Sequence, residues 1–286
     1  MTNTSGGVAL VFDFDDTLTP DSTTKLLASR GVDPDSVWTE ARTLVSQGYD
    51  QPHAYLKLLL DMVGDDQPFG PLSNRDLAEF GATLDDDFYA GLPQLFDDLI
   101  ADVAQAAGVS INFYIVSSGL EDVIRGSKIV SKYFSGVYGC LLAGDEPDGP
   151  LKYVRRAVTF TEKTRFLFEI NKGFTDRETL ENPYLVNQDV PPDNRPVPWE
   201  NMLYVGDGLT DIPCFSLVEY MGGKAFGVLQ ADTESGKNRI AKMLGPRRAR
   251  SLNSPRYGPD DDFGLILRQM VATAVSGVQY RRSARA

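Results

Sequence analysis

Alternating strand and helix signals predict an α/β fold: a parallel sheet flanked by helices, with a small all-helical unit inserted after the first strand. Three observations carry this reading. Short apolar runs at residues 8–12, 111–116 and 202–205 each stop at polar residues, as buried strands of a parallel sheet do. Helical periodicity fills the stretches between them, the pattern of a sheet covered on both faces by right-handed crossovers. Residues 20–88 carry helical spacing alone, so they interrupt the alternation. The expected organisation is a discontinuous core, residues 1–19 and 89–286, around a helical unit at 20–88.

The first strand runs into Asp13-Phe14-Asp15-Asp16-Thr17. In an extended chain residues i and i+2 share a face, so Asp13 and Asp15 are expected side by side with Asp16 pointing away. Two carboxylates at a strand end repel each other and lose hydration, which a metal cation or a shared proton would offset. The alternative is a solvated acidic turn. Helix signals follow. Asp21 or Ser22 caps a segment that Gly31 stops, and Pro34 starts another that runs to about residue 47. Leu56, Leu59, Leu60 and Val63 are at helical spacing, and Ser73-x-x-Asp76 precedes Leu77 and Phe80. His53, the sole histidine, reads as a surface or helix-end residue, because nothing nearby completes a site.

A helix is expected over residues 92–107. The second strand, 111–116, delivers Ser117-Ser118-Gly119. Then come a helix over 120–129, a strand at 137–143 and an extended arm at 151–159, as in a hairpin. A helix at 162–171 turns Phe166, Leu167 and Ile170 inward. Residues 174–200 hold Pro183, Pro191, Pro192, Pro196 and Pro198, too long and irregular for a plain connection. A surface excursion is expected there, over the site, against a partner, or as a variable loop. The strand at 202–205 leads directly into Gly206-Asp207-Gly208-Leu209-Thr210-Asp211, and Pro213 suits the first turn of a helix. Residues 224–229 read as a strand and 263–276 as a closing helix. Arg247, Arg248 and Arg250 lie in the loop between them, a solvated cluster or a phosphate contact.

The 286 residues carry a net charge of −12, which argues against nucleic acid as a partner, since that needs a basic face. Any phosphate site must therefore be locally positive. Cys140 and Cys214 lack metal-type spacing and read as buried thiols of a reducing compartment. No basic, apolar leader is evident, and no apolar stretch reaches the roughly 20 residues that span a bilayer. A cytoplasmic chain with no membrane partner is expected.

Three strand ends thus carry Asp13 and Asp15, Ser117, and Asp207 with Asp211, and a helix in between carries Lys163. This ordered set resembles the haloacid dehalogenase superfamily of phosphohydrolases. Asp13-Phe14-Asp15-Asp16-Thr17 is similar to its first motif, Val116-Ser117 to its second, Lys163 to its third and Gly206 through Asp211 to its fourth. Ser118 and Lys152 are alternatives for the second and third. The resemblance implies a Rossmann-like core, with residues 20–88 as the helical cap, and it looks most like the phosphoserine phosphatase branch. It implies a Mg2+-dependent phosphatase acting on a small phosphorylated metabolite through an aspartyl-phosphate. Asp13 is then the nucleophile, Asp15 the general acid and base, and Lys163 the neutralising cation. Ser117, Ser118 and Gly119 join Lys163 around the phosphate. Asp13, the Asp15 carbonyl, Asp207 and Asp211 serve the metal, Asp211 as ligand or support. A second acid two residues after the first separates phosphatases from the dehalogenases. A phosphomutase using the same aspartyl-phosphate, and a silent phospholigand-binding protein, are the competing readings.

Overall fold

The computed structural model describes residues 6–106, 108–229 and 249–284. Seven strands form one sheet in the order β4-β3-β2-β1-β5-β6-β7. They are β1 Gly7–Phe12, β2 Ser110–Leu120, β3 Phe134–Ala143, β4 Tyr153–Arg156, β5 Met202–Gly206, β6 Lys224–Val228 and β7 Leu252–Asn253. All neighbours are parallel except β3 and β4, which form the hairpin expected from the Gly149-Pro150 arm.

Residues 8–12 of β1 are fully buried, as a strand covered on both faces requires. Alternation assigns the faces. Phe12 meets Phe96 of α5 (Gln94–Ala104) edge-on, while Tyr204, in register with Val11, meets Phe215 of α10 (Ile212–Tyr220). Helix α8 (Phe160–Lys172) packs beside α10, and the closing helix α11 (Asp262–Ser283) beside α5.

Within residues 20–88 the described elements are helical. They are α1 Ser22–Ser29, α2 Pro34–Ser46, α3 Gln51–Asp61, α4 Asn74–Gly81 and a 3-10 turn at Ala82–Asp87. Their ends follow the sequence signals. The Asp21 side chain accepts from Thr24 N, Gly31 takes φ +73°, and Ser73 and Asp76 form a reciprocal capping box. The Tyr89 amide donates to the Leu18 carbonyl at 2.9 Å, bringing the two ends of the insert together.

Where one helix was expected after β2 there are two, α6 Glu121–Gly126 and α7 Lys128–Tyr133, because Ser127 is extended and caps α7. Helix α4 crosses α6 at backbone contact. A Cβ on Gly81 would lie 1.9 Å from the Val123 carbonyl oxygen, and one on Gly126 2.0 Å from that of Ala78.

The proline-bearing segment 174–200 holds α9 (Asp176–Glu181) and short 3-10 turns. It does not lie over the acidic strand ends. The Pro196 carbonyl accepts from Gly7 N at 3.0 Å and the Asn201 amide donates to Gly7 O, so it closes the opposite end of β1. Arg250 pairs with Glu219 at 2.7 Å, whereas Arg247 and Arg248 lie outside the described residues. Among the described residues no helix is long and apolar enough to cross a membrane.

Candidate active site

Strand register brings the site together. Phe12 of β1 is level with Ile115 of β2 on one side and Val205 of β5 on the other. Asp13, Ser117 and Asp207 therefore leave three adjacent strands at nearly one level, at the carboxyl end of the sheet where open α/β folds bind ligands. The Asp13 amide still bonds the Val205 carbonyl at 2.8 Å, so the first acid is held on the sheet. Beyond it the chain turns: the amides of Thr17, Leu18 and Thr19 all point to the Phe14 carbonyl. Strict alternation ends there. Asp16 takes φ +55°, a left-handed conformation that aspartate tolerates, and lines the same cavity rather than pointing away.

Lys163 is completely buried. Its Nζ donates to Asp13 Oδ2 at 2.6 Å and to Asp211 Oδ1 at 2.8 Å, joining motifs about 200 residues apart. Lys152, the alternative, is half exposed and pairs with Asp145 on the surface. Burial opposes the Lys163 charge, but the Asp13 and Asp211 carboxylates outweigh it and hold the ammonium well above its usual range. Asp211 is the better supported of the two. Oδ1 also accepts the Tyr204 hydroxyl at 2.7 Å, and Oδ2 accepts Gly208 N at 2.9 Å. Gly206 has to be slim, since a Cβ there would sit 2.5 Å from the Asp211 carboxyl carbon.

Asp13 Oδ1 accepts Phe14 N at 2.7 Å, and the Ser117 hydroxyl also serves this carboxylate. Burial raises Asp13 from 3.8 to about 6, with Lys163 pulling the other way. Asp15 is pushed further, to about 8, first by burial and then by the Asp21 charge; a 2.7 Å bond from Ser22 N is too little to offset them. Burial thus favours the protonated form of Asp15. Its carboxyl lies beside Gly119, where a Cβ would come within 2.5 Å of Oδ2. Ser117, not Ser118, turns its hydroxyl to the acids: Ser118 Oγ donates to the Val158 carbonyl at 2.9 Å.

Asp13, Asp207 and Asp211 each present a carboxylate oxygen, all within 4.8 Å of one another, and all three residues are buried. Such a set of hard oxygen donors fits a small divalent cation. The Asp15 carboxylate is outside the trio. The acids open on a cavity of about 310 Å³ that also takes Asp21, Trp38 and Tyr55 from the insert. The Tyr55 hydroxyl donates to the Ser118 carbonyl at 2.5 Å. His53 is half exposed beside Asp50 and does not line this cavity. Cys140 and Cys214 are buried and unbridged, and burial keeps both thiols protonated. Sequence reasoning missed Tyr204, Asp21, Trp38 and Tyr55. Only Tyr204 left a local trace, a hydroxyl inside an apolar strand next to the fourth motif.

No protein-family model matches the chain. Solved structures do. A HAD family hydrolase from Salmonella enterica serovar Typhi superposes with TM-score 0.53 at 12% identity, covering 87% of this chain and 68% of that one. A substrate-bound phosphoserine phosphatase gives 0.53 at 15%, covering 92% and 98%. A probable phosphoserine phosphatase from Vibrio cholerae gives 0.53 at 13%, covering 98% and 68%. The chain shares its fold with these HAD family hydrolase and phosphoserine phosphatase structures. By sequence, the chain belongs to one family with a Borreliella burgdorferi protein described only as uncharacterized. That protein is 33% identical over 234 residues, which span 74% of this chain and 78% of the relative.

Proposed function

We propose that this chain is a divalent-cation-dependent phosphomonoesterase that works through an aspartyl-phosphate, with residues 20–88 as its cap. One observation carries the reading: Lys163 pins Asp13 and Asp211 at one buried point, with Asp207 in reach of both. Asp13 attacks phosphorus in line and the bond to the leaving oxygen breaks, splitting one hard step into two. Asp15, held protonated, gives its proton to the leaving oxygen. The carboxylate so formed then takes a proton from the water that cleaves the acyl-phosphate. Ser117 and the backbone at Ser118 and Gly119 hold the phosphoryl oxygens, and Lys163 neutralises charge as it gathers. Asp13, Asp207 and the Asp15 carbonyl would hold Mg2+, with Asp211 supporting. Once bound, the ion supplies positive charge to the transferring phosphoryl group.

The direct test is hydrolysis of p-nitrophenyl phosphate by the full chain. Turnover is expected with Mg2+ and none in chelator; no turnover by folded protein with Mg2+ would count against the enzyme.

A thermal test needs no substrate. Asp13 and Asp15 are raised above their unfolded value of 3.8, so the folded chain binds protons more tightly than the unfolded one. Without metal, their contribution is complete below about pH 4 and is lost as pH rises through about 6 and 8. In chelator the melting temperature should therefore fall by several degrees from about pH 5.5 to about pH 8.5. Added Mg2+ should recover more at the higher pH, where the acids are ionised. A melting temperature indifferent to Mg2+ at both pH values would remove the metal assignment.

A further inference from the structure

The wall of the cavity facing the phosphate loop is built by the insert, and its chemistry selects the leaving group. Asp21 accepts both the amide and the hydroxyl of Thr24, each at 2.9 Å, so its carboxylate is fixed in place. The Trp38 indole N–H donates to the same Thr24 hydroxyl at 2.8 Å, which ties the ring to that carboxylate. The Tyr55 ring lies 5.8 Å from the Trp38 ring at 52°, and its hydroxyl is anchored to Ser118, next to the phosphate-binding Ser117. Asp21, Trp38 and Tyr55 all line the cavity.

Among the described residues this lining holds five aspartates and no lysine, arginine or histidine. Lys163 is sealed behind Asp13 with no exposed surface. A leaving group bearing a carboxylate or a second phosphate would find no cation among the described lining residues and would face Asp21. A positively charged leaving group would find a fixed carboxylate and two tilted aromatic rings, the combination that holds ammonium and quaternary ammonium groups. The Asp21 charge is also felt at Asp15 and Tyr55, which places it within reach of the reacting end.

We propose that the substrate is the phosphomonoester of a short cationic amino alcohol, held by Asp21, Trp38 and Tyr55. This rests on the phosphatase reading above and sets the chain apart from an enzyme for O-phosphoserine, whose ammonium this wall would hold but whose carboxylate finds no cation among the described lining residues.

The test compares kcat/KM of the full chain with Mg2+ on phosphocholine, phosphoethanolamine, glycerol 3-phosphate and O-phosphoserine. The cationic esters are expected to exceed glycerol 3-phosphate by about tenfold or more, with O-phosphoserine lowest. Asp21→Asn should collapse the ratio of phosphocholine to glycerol 3-phosphate to about threefold or less, and Trp38→Leu should do the same by a different change. A merely structural role would lower both substrates together and leave the ratio alone. If glycerol 3-phosphate or O-phosphoserine matches or exceeds phosphocholine while p-nitrophenyl phosphate is turned over, the cage is wrong and the phosphatase stands. If nothing is turned over, calorimetric binding of phosphocholine against glycerol 3-phosphate decides. A tenfold tighter complex supports the cage, and equal affinities overturn it.

Discussion

Replacing Asp13 with asparagine should cut turnover by about 10⁴-fold or more and leave the chain folded. The amide is a poor nucleophile and cannot carry the phosphoryl group. The fold should survive because Lys163 keeps its bond to Asp211, and because Asp13 is a carboxylate that burial already disfavours. Steady-state hydrolysis beside a thermal melt reads both halves. Activity within about tenfold of the parent would remove Asp13 as nucleophile, whatever the melt shows.

Lys163→Met should have the largest effect on stability. The lysine is wholly buried and is the cation shared by Asp13 and Asp211. Methionine fills much the same space but leaves two buried acids without it. Breaking such an arrangement from one side costs about 3–5 kcal/mol, or about 10 °C in melting temperature for a chain of this size. Turnover should fall too, by about 10²–10³-fold, since charge on the transferring group is no longer met. A variant that melts with the parent would show that the triad contributes nothing to the fold, and would sink the electrostatic account of the site.

The two predictions rest on residues of unequal legibility. Asp13, Asp15, Asp207 and Asp211 could be read directly, because a buried strand that ends in acids is a local pattern. Their convergence follows from the adjacency of β1 and β5, which strand–helix alternation implies but does not prove. Lys163 entered only through the family resemblance, with Lys152 as its alternative, although its spacing carries a signal. It precedes Phe166, Leu167 and Ile170 by three, four and seven residues, so a charged side chain sits on the buried face of α8. Lys152 has no such neighbours and is on the surface. Ser117 and Ser118 were not separable in sequence, because an irregularity at the end of β2 decides which hydroxyl faces the acids. Asp16 was misread because period-two alternation was extended past the point where the chain leaves the sheet. Asp21 was legible only as a helix cap, and the wall it forms with Trp38 and Tyr55 was not, since its members meet only through tertiary packing across three helices and the loop before them.

The close crossing of α4 and α6 has a mechanical consequence. Helix α6 starts at Glu121, immediately after the serine–glycine loop that faces the acids. The glycine contact leaves no slack between α4 and α6, and Tyr55 grips the same loop from α3. Insert and loop are thus clamped together on one flank, and the insert cannot lift off there without dragging Ser117 away from Asp13. On the other flank the cavity is lined by Leu209 and Thr210 of the fourth motif, which the clamp does not hold.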